Sequence, residues 1–191
     1  MKTKIILSLL LILIFSSCSS SMPVRTSDPT IKIPELKEYY ESLMDEGRKW
    51  SPDAYMYLVE IPIGWKTWTL SAAFYSPSKN DESLQVLLEP DGQLTNQRFR
   101  QERGVLQQDP ILSSQWQIGS QDALNILMNE NIDTIQTYTE VCGSLILGRG
   151  STLPDRPLLW ILYYHDCRSP LDMYHSYLDP KSGIIISTGI Q

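Results

Sequence analysis

Polar and hydrophobic positions follow regular spacings along this chain. From Pro34 onward, apolar side chains recur every three or four residues, which predicts an amphipathic helix that ends at Gly47. Residues 51–60 open with Ser-Pro-Asp, a typical helix start, and predict a second, short helix. Residues 67–75 alternate between apolar and polar side chains, as a half-buried strand does. The N-terminal half is therefore expected to contain two helices followed by a strand.

A hairpin with an acidic turn is predicted at two places. Residues 84–94, LQVLLEPDGQL, and residues 175–185, HSYLDPKSGII, each place an acidic residue, a proline and a glycine between two apolar runs. Ahead of the second hairpin, a helix is predicted to begin at Ser120. The β-branched and aromatic runs at 139–147 and 158–164 predict two strands. The same kinds of element thus recur in the C-terminal part.

Local matches in the same order indicate an internal repeat. The matching pairs are Ser51 and Ser120, Trp68 and Trp160, and Glu89 and Asp179. We therefore expect an α+β fold made of two tandem units, each a helix packed on an antiparallel β-meander. The alternative is coincidence, because acidic residues, proline and glycine are common in any turn.

The expected domain boundaries follow from the polar stretch in the middle of the chain. Residues 101–117 are predicted to be a linker. The first α+β unit is then expected at residues 33–100 and the second at residues 118–191.

The N-terminus has the features of an export signal. Two lysines precede the apolar residues 5–15, and two serines lead to Cys18. Residues 1–17 are therefore expected to be a signal peptide, since the run is shorter than the roughly 20 residues that span a bilayer. Small residues that end at a cysteine resemble the lipobox of bacterial lipoproteins, which implies lipidation of Cys18. The alternative is an ordinary secretory signal that happens to contain a cysteine.

Lipidation implies a location in the bacterial cell envelope. Residues 18–32 are rich in serine, threonine and proline and are expected to be a flexible tether between the lipid and the folded part. Because Ser19, rather than an aspartate retention signal, follows the cysteine, the resemblance implies the outer membrane wherever the organism has one.

Charge and cysteine content narrow the partners and the compartment. The formal net charge of −6 repels phosphates, so no nucleic-acid partner is expected. With Cys18 lipidated, Cys142 and Cys167 remain as an even pair, which suits an oxidising compartment. If their two runs form a hairpin, the two cysteines face each other across it, and a disulfide is predicted.

Residues typical of catalytic or metal sites are few. The two histidines, His165 and His175, could join Cys142 and Cys167 in a zinc site, but the spacing fits no common zinc pattern, and the disulfide is preferred. The motifs of serine nucleophiles and phosphate loops are incomplete. No catalytic residue, metal or cofactor is therefore predicted.

The C-terminal part is similar to the PepSY and PepSY-like modules of bacterial exported proteins. The shared features are Asp122-Ala123-Leu124 on a helix, Trp160 on a strand, and the turn at 179–183 before a last apolar strand. The likeness covers residues 118–188 and, less closely, residues 50–95. It implies small non-catalytic domains that bind or restrain partners.

Together these features lead us to expect a membrane-anchored envelope lipoprotein that binds or restrains a protein or peptide partner without catalysing a reaction. Trp65, in a predicted loop, and Tyr163 and Tyr164, on a predicted strand, are the candidates for partner binding. One alternative is a small-ligand carrier or a hydrolytic envelope enzyme with a pocket on the sheet. Another is a structural component of an envelope complex.

Overall fold

The structure, a computed structural model, describes residues 31–64, 69–100, 109–150 and 155–190. The helices in this part of the chain are α1 (Leu36–Trp50), α2 (Ser120–Glu130) and the short α3 (Ile132–Ile135). The strands are β1 (Tyr55–Ile63), β2 (Leu70–Tyr75), β3 (Glu82–Leu88), β4 (Leu94–Arg100), β5 (Val141–Arg149), β6 (Leu158–Asp166), β7 (Ser169–Leu178) and β8 (Ile185–Ile190).

All eight strands lie in one antiparallel sheet, in the order β4-β3-β2-β1-β5-β6-β7-β8. The first four strands follow one another outward from β1, and the last four follow one another outward from β5. The two meanders meet where β1 pairs with β5, from Val59 opposite Leu147 to Ile63 opposite Gly143. A helix precedes each meander. The fold is therefore α+β, as the sequence predicts.

The core lies between the helices and one face of the sheet. The side of α1 that the three-to-four spacing predicts to be apolar is buried, and Leu36 and Leu43 are fully so. Trp160 of β6 is fully buried in the same core, and its Nε1 donates to the carbonyl of Ile118 at 3.0 Å. The alternation predicted for β2 is confirmed by its fully buried residues, Leu70, Ala72 and Phe74.

The two acidic turns occupy corresponding places in the two meanders. One connects β3 to β4 and the other connects β7 to β8. Gly92 and Gly183 have φ angles of 84° and 72°, a region that glycine enters without steric cost. In the second turn, the hydroxyl of Ser182 and the amide of Lys181 donate to Asp179 and lower the pKa of its carboxyl group. Both predicted hairpins are therefore present, each with its glycine at a positive φ angle.

The strand registers correct the match between the two tryptophans. Leu70 pairs with Leu88, the residue before the first acidic turn, and Trp160 pairs with Leu178, the residue before the second. Leu70 therefore holds the position that corresponds to Trp160. Trp68 lies two residues earlier and outside the described residues.

The prediction of a short helix at residues 51–60 is wrong. The chain leaves α1 at Trp50, turns, and enters β1 at Tyr55. β1 is paired on both sides, with β2 and β5, so its backbone groups are satisfied as a strand. This tertiary pairing overrides the local Ser-Pro-Asp helix signal. The sequence match of Ser51 with Ser120 is therefore not a structural match, because Ser51 lies in a turn and Ser120 begins a helix.

Gly47 lies within α1 and does not end it, contrary to the expectation. The helix continues to Trp50. A Cβ at Gly47 would lie 2.5 Å from Cδ1 of Phe74 on β2. The glycine is therefore required because the helix backbone approaches the sheet closely, and the sequence cannot distinguish this role from a helix end.

The N-termini of α1 and α2 cap each other. The buried hydroxyl of Ser120 accepts from the amide of Leu36 at 2.9 Å and donates to the carbonyl of Pro34 at 2.6 Å. In return, the carboxylate of Glu35 accepts from the amides of Ser120 at 3.1 Å and Gln121 at 3.4 Å. Each helix thus gains an acceptor for its free N–H groups from the other half of the chain. The negative charge of Glu35 also offsets the positive ends of two helices.

A second bond network holds the turn between α1 and β1. The hydroxyls of Ser51, Ser76 and Ser78 donate to one carboxylate oxygen of Asp53, at 2.7, 2.5 and 2.9 Å. The other oxygen accepts from the amide of Ser78 at 2.9 Å. These hydrogen bonds, chiefly those from Ser76 and Ser51, hold the pKa of Asp53 well below its usual range. They join the start of β1 to the segment that follows β2.

Removal of the shared cap is expected to destabilise the whole fold. Glu35→Ala leaves two amides of α2 without an acceptor and should lower the free energy of unfolding by about 1 kcal/mol. A Cβ at Gly119 would lie 2.6 Å from both carboxylate oxygens of Glu35, so Gly119→Ala should displace the carboxylate. Gly119→Ala should therefore cost less in the Glu35→Ala background than in the wild type, as measured by chemical denaturation.

The matched control is Glu38→Ala, which removes an exposed carboxylate from the first turn of α1. We expect this variant to change the free energy of unfolding by less than about 0.5 kcal/mol. Full additivity of Glu35→Ala and Gly119→Ala would contradict the cap.

The stabilising effect of Asp53 is expected to fade in acid. Because its pKa is lower in the folded protein than in the unfolded chain, the ionised carboxylate stabilises the fold above the ordinary value of about 4, and the effect is lost as the pH falls toward the folded value. The difference in Tm between the wild type and Asp53→Asn should be large at pH 7, smaller at pH 3 and smaller again at pH 2. An equal difference at each pH, or the same trend for the exposed control Asp109→Asn, would refute this.

Candidate functional site

Polar and aromatic side chains cross the sheet on the face opposite the helices. Ser144 of β5 lies beside Tyr163 of β6, and Tyr163 lies beside His175 of β7, as partners in adjacent strands. These three residues are partly exposed and alternate with residues of the core. Glu60 of β1 and Tyr177 of β7 adjoin them. We call these five residues the outer-face row.

Hydrogen bonds and ring contacts connect the members of the outer-face row. Ser144 Oγ donates to Glu60 Oε1 at 2.7 Å. The imidazole centroid of His175 lies 6.3 Å from the ring centroid of Tyr163 and 5.1 Å from that of Tyr177. Burial, with a smaller effect of the neighbouring Tyr177, raises the pKa of Tyr163, so the phenol keeps its proton at neutral pH. The row therefore presents the neutral phenol of Tyr163 next to an imidazole.

The imidazole of His175 has an unused hydrogen-bonding atom. Its Nδ1 is buried and has no hydrogen-bond partner within the described ranges. Neutral histidine donates from one ring nitrogen and accepts at the other, and a buried nitrogen without a partner costs about 1–3 kcal/mol. Because the atom is buried, a group from another molecule could pair with it and remove that cost only after the imidazole turns outward.

An apolar cluster, separate from the main core, lies beside the outer-face row. Leu159 and Ile161 of β6 are buried in it together with Tyr177, and Ile146 of β5 packs against them. The first part of β6, residues 158–162, is therefore buried on both faces, which explains its uninterrupted apolar sequence.

The spacing of the row does not match that of a nucleophile and its base. Tyr163 stands between Ser144 and His175, which are two strands apart and therefore about 10 Å from each other. A nucleophile and its base must approach to about 3 Å. The Ser144 hydroxyl instead donates a hydrogen bond to Glu60. The described residues also contain no group of three His, Cys, Asp or Glu side chains placed to hold a metal ion.

The structure places the predicted partner-binding residues differently from one another. Tyr163 lies in the outer-face row. Tyr164 points into the core, where it is 1% exposed and stacks on Tyr174 at 5.4 Å, and burial raises its pKa to about 12. Neighbouring residues of a strand face opposite ways, so the expectation that Tyr164 contacts a partner is wrong. Trp65 lies outside the described residues.

Cys142 and Cys167 form a disulfide, as predicted, with their Cα atoms 5.0 Å apart. The register differs from the expectation, because Cys142 lies opposite His165 and Cys167 follows the end of β6. Cys142 therefore faces a residue two positions before Cys167, and the two cysteines are diagonal neighbours across the strands. Their sulfurs are bonded to each other and are not thiolate ligands for zinc.

The membrane anchor predicted at Cys18 lies outside the described residues, as do the signal peptide and most of the tether. Among the described residues, every helix is too short or too polar to cross a membrane.

Sequence reasoning missed most of the outer-face row. Glu60 fell in the segment assigned to a helix, and Ser144 and Tyr177 have no distinctive motif. His175 was visible as one of two histidines, but its neighbours depend on the strand register. Period-two alternation, once applied to β1, β5, β6 and β7 together, is the signal that finds the row.

Comparison with known proteins shows the fold alone. No family model matches the chain, and no curated protein matches it in sequence. The fold is similar to the crystal structure of a candidate lipoprotein from Clostridium difficile 630, with a TM-score of 0.58 and 10% identity. The match covers 87% of this chain and 99% of the other.

Proposed function

We propose that this chain is an envelope lipoprotein, anchored through Cys18, that binds a protein partner through its outer-face row without catalysing a reaction. The observation that carries the proposal is the row itself, in which the partly exposed rings of Tyr163 and His175 lie side by side on the face opposite the helices. Tyrosine and other aromatic side chains are enriched at protein interfaces because they bury apolar area and still offer a polar tip.

The anchor rests on the N-terminal sequence. An export signal that ends at Cys18 precedes a serine-rich stretch, and the folded part begins by residue 33. The fold is shared with a protein described as a candidate lipoprotein, which agrees with this assignment.

We also propose that each half is a PepSY-like unit. Both halves run helix and then four-stranded meander, and their third hairpins carry the acidic turn at the same place. Modules of that class are implied to bind or restrain partners, which is the role assigned here to the outer-face row. The correspondence rests on element order and register, with Leu70 and Trp160 at equivalent positions.

The non-enzymatic part of the proposal rests on two features. The separation of Ser144 from His175 does not suit a nucleophile and its base. The helix side of the sheet is occupied by the core, so a ligand pocket of the kind an enzyme needs would have to form elsewhere.

Site-specific photocrosslinking in cells tests the proposal. With a photoreactive amino acid at position 163, we expect one protein adduct of defined mass, because this side chain lies at the centre of the outer-face row. His175→Ala should reduce the yield of that adduct at least tenfold and should weaken binding of the purified partner by a similar factor.

The control places the same photoreactive residue at position 49, since Lys49 is exposed on α1 on the other side of the sheet. An adduct that forms equally at both positions, or one that His175→Ala leaves unchanged, would overturn the assignment. Turnover of a substrate that disappears with Ser144→Ala would favour the enzymatic alternative.

A further inference from the structure

The sheet ends at two edge strands of different character. β4 and β8 are the outermost strands, so each has one row of backbone N–H and C=O groups without a neighbouring strand among the described residues. β8 has no charged residue, whereas β4, LTNQRFR, has Arg98 and Arg100. Most of β4 is exposed. An exposed edge is a template on which a further strand can form.

The two arginines of β4 lie on one face of the edge. They are two positions apart, so their side chains project the same way with about 7 Å between their Cα atoms. Both are exposed, and neither takes part in an ion pair within the described part of the chain. Arg98 lies opposite the buried Leu84, and Arg100 lies opposite Glu82. With Asp81, Glu82 and Phe99, the two arginines line a surface depression at the open end of the hairpin.

We propose that β4 accepts an extended, acidic segment of a partner protein, which adds a ninth strand to the sheet. The backbone of the segment would bond to the free edge of β4, and carboxylates at alternate positions would pair with Arg98 and Arg100. Residues two apart in the added strand have the same spacing as the two arginines, so each guanidinium can meet one carboxylate. The inference rests on the proposed function, because it takes the partner to be a protein. It adds a second contact, at the edge of β4, to the one at the outer-face row.

The net charge of the whole molecule favours a short acidic segment, rather than a larger anionic surface, as the partner of β4. The net charge of −6 opposes the approach of nucleic acid or an anionic membrane, which present many charges at once. A short peptide brings few charges, and at physiological salt repulsion from distant carboxylates fades beyond about 8 Å. Glu82, opposite Arg100, weakens that arginine as an anion contact, so Arg98 is expected to contribute more.

The edge geometry also disfavours a second copy of this chain. Antiparallel pairing of β4 with β4 of another molecule would bring the arginines of the two strands to the same narrow ladder, and like charges across a ladder are destabilising. The same arginines protect a bare edge against such self-pairing. A complementary acidic strand removes the repulsion.

Peptide binding to the purified full-length protein tests the inference. The probe is an eight-residue peptide of alternating threonine and glutamate, and its comparator alternates threonine and lysine. We expect saturable binding of the glutamate peptide only, by calorimetry or fluorescence anisotropy. Binding should weaken at least tenfold when alternate peptide amides are N-methylated, because these amides bond to the edge of β4.

Charge reversal on the protein supplies the second arm. Arg98→Glu with Arg100→Glu should weaken binding at least tenfold, and Arg98→Glu alone should weaken it more than Arg100→Glu alone. The matched control, Arg168→Glu with Lys181→Glu, makes the same change in net charge at exposed positions in the other half and should alter binding less than threefold.

Several results would overturn the inference. These are no binding by the wild-type protein, equal binding of the N-methylated peptide, or equal loss with the control variant. Self-association through β4 would show that the occupant of this edge is a second copy of the chain. Binding to vesicles of anionic phospholipid that requires the two arginines would show that the occupant is a membrane. Position 163 is about 24 Å and five strands from β4. If peptide binding fails but the photocrosslinked adduct still forms at position 163, only this inference has failed and the proposed function stands.

Discussion

The pairing of β1 with β5 is the constraint on which the rest of this structure depends. Each of these strands is the first after a helix, and without the joint each would expose a row of unpaired backbone N–H and C=O groups. The joint carries buried side chains from both strands, including Ile61 and Leu145. The reciprocal caps at Glu35 and Ser120 connect α1 to α2 in the helical layer, just as the β1–β5 pairing connects the two halves of the sheet. Two helix-and-meander halves thus become one body with one core.

This arrangement decides which surfaces remain for function. The helices lie on the same face, so the other face of the joined sheet carries the outer-face row, in which Tyr163 and His175 belong to strands of the second half. The joint also places β4 and β8, the outermost strands among the described residues, at the far ends of the sheet. The face with aromatic side chains and the edge with arginines are the two surfaces that the proposed contacts with a partner protein would use.

The sequence was sufficient for the parts of the fold that local patterns determine. The apolar face of α1, the alternation of β2, both acidic turns and the disulfide could all be predicted. The helix at 51–60 and the tryptophan match failed because strand pairing and register are set by distant residues, as the partners of β1 and of Leu70 show. The same limit applied to the site. Tyr163 could be predicted only as one of two neighbouring tyrosines that cannot both face inward, whereas Glu60, Ser144 and Tyr177 meet it only after four strands are aligned.

Native-state hydrogen exchange tests most directly whether the β1–β5 joint makes the halves one cooperative unit. The amides that pair Val59 with Leu147 and Ile63 with Gly143 are the ones to follow. The account predicts that the amides of β1 and β5 exchange through a single opening, with the free energy of global unfolding, and that the strands of both halves share it. Exchange of one half through a lower-energy opening, while the strands of the other half stay protected, would contradict the account.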